Sequence, residues 1–279
     1  MNSKLIKSGL LSLLTVLFLF TSCSDDDSNS NTETEVTADF TVEQSKQAAE
    51  TDEVSTGALD VVEMGFIAQA ENNGNSFGFF SDCVTITVST ENGVTFVDLD
   101  FGMGCELNNG NIVSGIIHLT YGLPQNGTRA VNYTFENFTF NEKEIEGGGT
   151  IYRELSNAAG NPQSTFHKNI TITHPNGIVA IVNGNRVREW IEGVGSGTWM
   201  DNAFLVTGNW STEFSDGHSR SAMVTEPLRR ESTCPFFVSG LLEVTRNITT
   251  GELNFGDGTC DNEAILTVNG EEIIIILHH

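Results

Sequence analysis

Apolar and polar residues alternate with a period of two through most of this chain. From residue 84 the order is Val84-Thr85-Ile86-Thr87-Val88, then Asn92-Gly93, then Phe96-Val97-Asp98-Leu99-Asp100-Phe101. Successive strand side chains point to opposite faces, so these runs predict a hairpin with one apolar face and one wet face. Asn-Gly is the strongest short hairpin signal, because both central positions of a type I′ turn need positive φ. A two-residue loop at Asn92-Gly93 sets Val88 opposite Val97, Ile86 opposite Leu99 and Val84 opposite Phe101. Thr85 and Thr87 then face Asp100 and Asp98 on the other side.

The same punctuation continues downstream. Asn-Gly recurs at 73–74, 109–110, 126–127, 176–177, 183–184 and 269–270, and Asp-Gly at 216–217 and 257–258. Between these signals lie β-rich runs at 112–121, 130–140, 144–155, 164–173, 179–191, 198–214 and 220–225. The last hairpin ends in Ile273-Ile274-Ile275-Ile276-Leu277, apolar on both faces. Such a strand belongs inside a sheet, covered on both sides. Upstream, Thr41-x-x-Gln44 has the form of a capping box, and Val54, Ala58, Val61, Val62 and Gly65 recur at helical spacing. The expectation is an all-β antiparallel domain over residues 41–279, with a short N-terminal helix. It would be a sandwich or an extended meander.

Two stretches nearly repeat each other. The first runs from Cys83 through two strands to Phe101-Gly102-Met103-Gly104-Cys105. The second runs from Cys234 through two strands to Phe255-Gly256-Asp257-Gly258-Thr259-Cys260. The repeat suggests two related halves. In the first unit Cys83 falls opposite Gly102, so the glycine kink folds Cys105 back toward it. We infer a Cys83–Cys105 bridge on that register, and Cys234–Cys260 by repetition. Four cysteines permit three pairings. A four-cysteine metal site is the alternative, but no C-x-x-C pair exists to build one.

The beginning of the chain reads as address rather than fold. Lys4 and Lys7 precede a short apolar run at residues 10–20, which is signal-peptide length. Phe20-Thr21-Ser22-Cys23 follows. Small residues before a cysteine resemble the lipobox of bacterial lipoproteins, which implies a signal peptide over 1–22 and lipidation at Cys23. Phe20 departs from the Leu usual at its position. Ser24-Asp25-Asp26-Asp27 resembles the acidic export signal of surface lipoproteins in the Bacteroidetes. That resemblance implies an outer-membrane, cell-surface location. Residues 23–40 are rich in Ser, Asn, Thr, Asp and Glu and predict a disordered tether.

Charge narrows the function classes. The chain holds 13 basic and 37 acidic residues. Without residues 1–22 it keeps 11 basic residues against 37 acidic, a formal net charge of −26. Residues 23–127 carry 18 acidic residues and one basic residue, Lys46. Nucleic acid wants a basic face, so it is excluded as a partner. The acidity reads as solubility at a cell surface, or as a site for a divalent cation or a cationic partner.

Candidate chemistry is sparse. Asp257, Asp261 and Glu263 put oxygen ligands at nearly alternate positions, a weak calcium candidate that lacks the full loop spacing. Asp98 and Asp100 share a strand face, which reads first as solvated. Ser215-Asp216-Gly217-His218-Ser219 contains triad letters, but consecutive residues cannot assemble a triad. Neither G-x-S-x-G nor H-E-x-x-H occurs. Trp190, Trp199 and Trp210 cluster with Arg188. Aromatic platforms with charged neighbours bind sugars or protein partners, so these four residues form the candidate binding surface, against the reading of core tryptophans beside surface ion pairs.

The whole pattern resembles a group of uncharacterised lipoproteins of flavobacteria and relatives. The resembling elements are Phe101–Cys105, Phe135-Glu136-Asn137-Phe138, Arg188-Glu189-Trp190-Ile191-Glu192-Gly193 and Phe255–Asn262. The resemblance implies location and fold class, and no catalytic residue. The expected function is a non-enzymatic binding or structural subunit at the cell surface, with an outer-membrane protein complex or a glycan as partner and no cofactor. A secreted hydrolase whose site is assembled from distant residues is the alternative.

Overall fold

A computed structural model of the chain describes residues 40–277. The signal peptide, Cys23, the acidic export signal and the tether lie outside the described residues. Helix α1 (Val42–Ala70) comes first. Fourteen strands follow: β1 (Thr85–Glu91), β2 (Val94–Asp100), β3 (Cys105–Glu106), β4 (Ile112–Tyr121), β5 (Thr128–Phe140), β6 (Lys143–Glu154) and β7 (Gln163–Thr173). Then come β8 (Val179–Glu192), β9 (Ala203–Phe214), β10 (Ser219–Glu231), β11 (Phe237–Arg246), β12 (Thr249–Asp257), β13 (Glu263–Val268) and β14 (Glu271–Ile276).

All of them belong to one antiparallel sheet in chain order, with β3 pairing on β4 off the main path. Of the two expected architectures this is the meander. The two cysteine units sit at opposite ends of one sheet rather than in two stacked layers. The sheet curls around α1, so that strands from β2 to β14 reach the helix. A sheet this long must cover one apolar face, and a central helix does so without a second sheet.

The hairpin register is as expected from Thr85↔Asp100 through Val88↔Val97. Asn92 (φ 51°) and Gly93 (φ 80°) make its turn. The expected Val84–Phe101 rung is absent: Asp100 Oδ1 accepts from Gly102 N at 2.8 Å, and Phe101 N donates to Gly115 O at 2.9 Å. Asn183-Gly184 lies inside β8, within the expected run 179–191. Both disulfides are as inferred, Cys83–Cys105 and Cys234–Cys260.

The helix is longer than expected, 29 residues, and buried on nearly every side. Thr41 Oγ1 caps it by accepting from Gln44 N at 3.2 Å. Gly57 and Gly65 cost intrinsic helix stability, yet close approach demands them. A Cβ on Gly57 would lie 2.2 Å from Phe140 Cζ, and one on Gly65 would lie 2.2 Å from Leu99 Cδ1.

Strand β14 corrects another expectation, because it is the sheet's edge and not its interior. Ile273 and Ile275 do enter the core, but Ile274 is 58% exposed.

Candidate functional site

A wide opening lies between the loops that adjoin the two disulfides. It is a cleft of about 660 Å³. One lip is Phe77, Gly78, Asn108, Asn109 and Asn111, next to Cys83–Cys105. The other is Ser232, Thr233, Cys234 and Pro235, next to Cys234–Cys260, and the β8–β9 loop adds Thr198, Trp199 and Met200.

Local bonds hold these lips. Asn108 Nδ2 donates to Gly78 O (2.7 Å) and Phe80 O (3.1 Å). Trp199 N donates to Phe77 O at 3.2 Å, which ties the β8–β9 loop to the first lip. Ser232 N donates to Asn202 O at 3.0 Å. Within the first disulfide ring, Ser81 Oγ donates to Glu106 O at 2.6 Å. In contrast, the Ser232 and Thr233 hydroxyls and the Asn109 amide nitrogen make no hydrogen bond to any described residue. They are the groups left for a ligand.

Arg230 forms the floor. It lines the cleft and two small chambers that run down to the helix. Its Nη1 donates to Pro235 O, its guanidinium lies 5.8 Å over the Phe237 ring, and its Nε is 3.9 Å from Asp60. In one chamber, of about 20 Å³, stands Glu53 with Asn111, Asn141 and Lys143. That is room for one water. Both Glu53 carboxyl oxygens are buried without a hydrogen-bond partner among the described residues. Burial pushes its pKa up to about 8, against the opposing pull of Arg230.

The cleft stands on a charged seam. A stripe of polar helix residues, Asp52, Ser55, Thr56, Asp60 and Glu63, faces basic residues from the inner side of the sheet. Arg188 Nη1 donates to Asp60 Oδ1 at 2.8 Å and Glu63 Oε2 at 2.7 Å. Arg153 meets Glu63 at 3.4 Å and holds Glu71 through two bonds of 3.0 Å. Arg186 Nη1 donates to Thr56 Oγ1 and Lys168 Nζ to Ser55 Oγ, both at 2.7 Å. Arg220 pairs with Asp52. Six of the eleven basic residues beyond the signal segment are buried: Arg153, Lys168, Arg186, Arg188, Arg220 and Arg246. The outer surface is therefore more acidic than composition implies.

The expected binding surface is corrected by this seam. Trp190, Trp199 and Trp210 are each only 8% exposed, and Arg188 is buried with its guanidinium 3.5 Å over the Phe204 ring. Trp190 Nε1 donates to Glu192 O at 2.6 Å, and Trp210 Nε1 donates to Asp52 Oδ1 at 2.7 Å. Alternation turned Arg188, Trp190 and Trp210 inward, and of the three tryptophans only Trp199, in the β8–β9 loop, lines the cleft.

Two of the calcium candidates make local turn bonds. Asp257 Oδ1 accepts from the Thr259 amide and hydroxyl, and Asp261 Oδ1 accepts from Glu263 N. No group of three or more His, Cys, Asp or Glu that could hold a metal ion occurs among the described residues. Asp98 pairs across strands with His118 Nδ1 at 2.7 Å rather than with Asp100, and Glu136 Oε2 meets His118 Nε2 at 3.0 Å. The Asp98 hydrogen bond is the main cause that raises the His118 pKa, and Glu136 adds to it.

No protein-family model, characterised protein or solved structure matches the chain. Sequence reasoning missed Asn109, Arg230, Ser232, Thr233 and Glu53. The readable signal was position: Leu107-Asn108-Asn109-Gly110-Asn111 follows Cys105, and Arg230-Glu231-Ser232-Thr233 precedes Cys234.

Proposed function

We propose that this chain is a cell-surface lipoprotein, anchored to the outer membrane through Cys23, with Ser24, Asp25, Asp26 and Asp27 as its export signal. It acts as a non-enzymatic binding subunit, and its cleft takes a neutral glycan. The observation that carries this reading is the cleft lining. Unspent hydroxyls and an amide on two disulfide-braced lips, in a cleft walled by Trp199, are the groups that recognise sugar hydroxyls. A surface this acidic also disfavours a polyanionic ligand.

The test is titration of the mature protein against a panel of neutral polysaccharides, following tryptophan fluorescence. Asn109→Ala with Thr233→Ala should weaken binding at least tenfold, about 1.4 kcal/mol, without lowering thermal stability. Capture of an outer-membrane protein complex that the double variant leaves unchanged would count against the glycan. Cys23→Ala should release the protein from membranes.

One observation favours the hydrolase alternative. Glu53, its pKa pushed to about 8, keeps a proton at neutral pH as a general acid must. The acidic neighbours that act on it, Asp52 and Glu50, are paired with Arg220 and Lys143. Release of reducing ends from a bound glycan, lost in Glu53→Gln, would establish that reading.

A further inference from the structure

Two cations of the charged seam are held differently from the rest. Arg153, Arg188, Arg220 and Arg230 share four carboxylates of α1 and its C-cap, Glu63, Glu71, Asp60 and Asp52. Lys143 pairs separately with Glu50. Lys168 and Arg186 instead bond to helix hydroxyls, those of Ser55 and Thr56, both at 2.7 Å. Among the described residues neither has a carboxylate at ion-pair distance. Asp60 and Asp52 attract Arg186 from further away. Asp60 is already held by Arg188, and Asp52 by Arg220 and the Trp210 indole. Glu53 keeps its proton at neutral pH and does not offset them. The seam therefore carries a buried positive excess, and it is located at these two side chains.

The fold brings them together. Lys168 of β7 pairs with Gly184, and Arg186 stands two residues on along β8, so the two are diagonal neighbours on the face turned to the helix. Both line a chamber of about 20 Å³ between α1 and the sheet, walled by Val206, Leu228, Leu242 and Phe255. Such a volume suits one small ion or one water. Arg186 is 4% exposed, and its Nη2 is buried without a hydrogen-bond partner. Lys168 Nζ lies 5.2 Å over the Trp210 ring, and the Arg186 guanidinium 5.6 Å over the Phe237 ring. Ring faces attract cations but do not cancel their charge. A lysine can answer burial by losing its proton, and burial, followed by Arg186, brings Lys168 down to about 7. Arg186 is lowered only to about 10 and stays charged at neutral pH. A water in the chamber would satisfy the free N–H and leave that charge uncompensated.

We propose that this chamber is a buried anion site, in which one chloride ion sits between Lys168 Nζ and Arg186 Nη2. Lys168 has N–H donors left after Ser55, and Arg186 has its free Nη2, so both can bond the ion. The apolar walls suit a weakly hydrated halide, and the volume leaves no room for phosphate or a carboxylate ligand. The ion is captured as the sheet closes on α1. It binds the folded chain alone and so stabilises it.

The experiment is urea unfolding of the mature protein at pH 7 and constant ionic strength, with sodium gluconate exchanged stepwise for sodium chloride. One ion bound only by the folded chain should raise the folding equilibrium constant by up to tenfold for each tenfold rise in chloride. Lys168→Met with Arg186→Met should make stability indifferent to chloride. Should that variant not fold, wild-type crystals grown in sodium bromide decide the matter. Their anomalous scattering should place bromide within hydrogen-bonding reach of Lys168 Nζ and Arg186 Nη2. Wild-type stability that does not respond to chloride, or a water with no bromide signal at that place, would overturn the proposal. So would a chloride response that the double variant keeps.

Discussion

Strands β2, β4 and β5 hold the helix in one way, and strands β6 to β11 hold it in another. The first group presents Leu99, Ile117, Leu119, Val131, Tyr133, Phe138 and Phe140, all buried. It presses so close that the helix needs Gly57 and Gly65, and Phe66 meets the Tyr121 ring edge-on at 5.2 Å. The second group presents arginine and lysine at the same kind of inward position, and the helix answers with Asp52, Asp60 and Glu63. One helix is thus gripped by contact on one side and by charge on the other. The difference teaches that inward alternation fixes direction, while the residue type decides what kind of partner the helix must supply.

The sharpest way to break the charged grip is Glu63→Ala. Glu63 is 2% exposed and faces Arg153, Arg188 and Ser164. Removing it takes one of two acidic partners from each of two buried guanidinium groups, Arg153 keeping Glu71 and Arg188 keeping Asp60, so the cost should lie toward the lower end of the about 3–5 kcal/mol for breaking a buried pair. Urea unfolding should show that loss. A loss below about 1 kcal/mol would mean the seam is already well hydrated.

Next in size are the disulfides, one beside each group of strands. Loops of separation 22 and 26 differ little in closure entropy, so Cys83→Ser/Cys105→Ser and Cys234→Ser/Cys260→Ser should each cost roughly 3 kcal/mol. Non-reducing peptide mapping checks the pairing. Unequal losses would show that one end of the sheet tolerates opening better than the other.

The contact grip is tested by Gly57→Val. Overpacking against Phe140 should cost about 1–3 kcal/mol beyond any propensity gain. Phe140→Leu should restore part of it, a non-additivity that marks the two as touching.

The two sides also differ in their response to pH. Burial, followed by Arg186, brings Lys168 down to about 7 from 10.5. Between those values the unfolded chain binds a proton that the folded chain does not, so stability rises with pH across that window. Glu53 runs the other way: its carboxyl is raised from 4.5 to about 8, the folded state holds the extra proton, and stability falls as pH rises through that range. Lys168→Met should remove the first slope and Glu53→Gln the second, both read from chemical denaturation between pH 5 and pH 10. On the exposed face of β4 the effect is smallest. The raised pKa of His118 means that its stabilising pairs with Asp98 and Glu136 are fully present below about 6.5 and are lost as pH rises through the elevated value. His118→Asn should remove this dependence, worth at most about 1 kcal/mol at an exposed site.

What could be read directly was local. The Asn92-Gly93 hairpin, its register, the strand limits at 112–121 and the cap at Thr41 all depend on neighbours in sequence, and short-range geometry decides them. The two disulfides were legible for the same reason, because each closes its own hairpin. Direction was not legible where a polar residue took an inward position. Arg188 read as a surface ion pair because charge usually is, and only the helix opposite it supplies the partners that make burial tolerable. Ile273 to Ile276 read as interior because hydrophobicity carries no information about which strand ends a sheet. The cleft was illegible too, since its lips meet only when the sheet has curled through β4 to β10. The lopsided charge had suggested a cationic partner for the acidic first part of the chain. Tertiary structure provides one within the molecule: Asp52, Asp60 and Glu63 of α1 meet Arg220, Arg188 and Arg153 of β10, β8 and β6, more than eighty residues later in sequence. Sequence alone determined the strands, the turns and the staples, which are local matters. Which face each strand turned to the helix, and what the helix had to carry to be buried there, was a long-range pairing that only folding could decide.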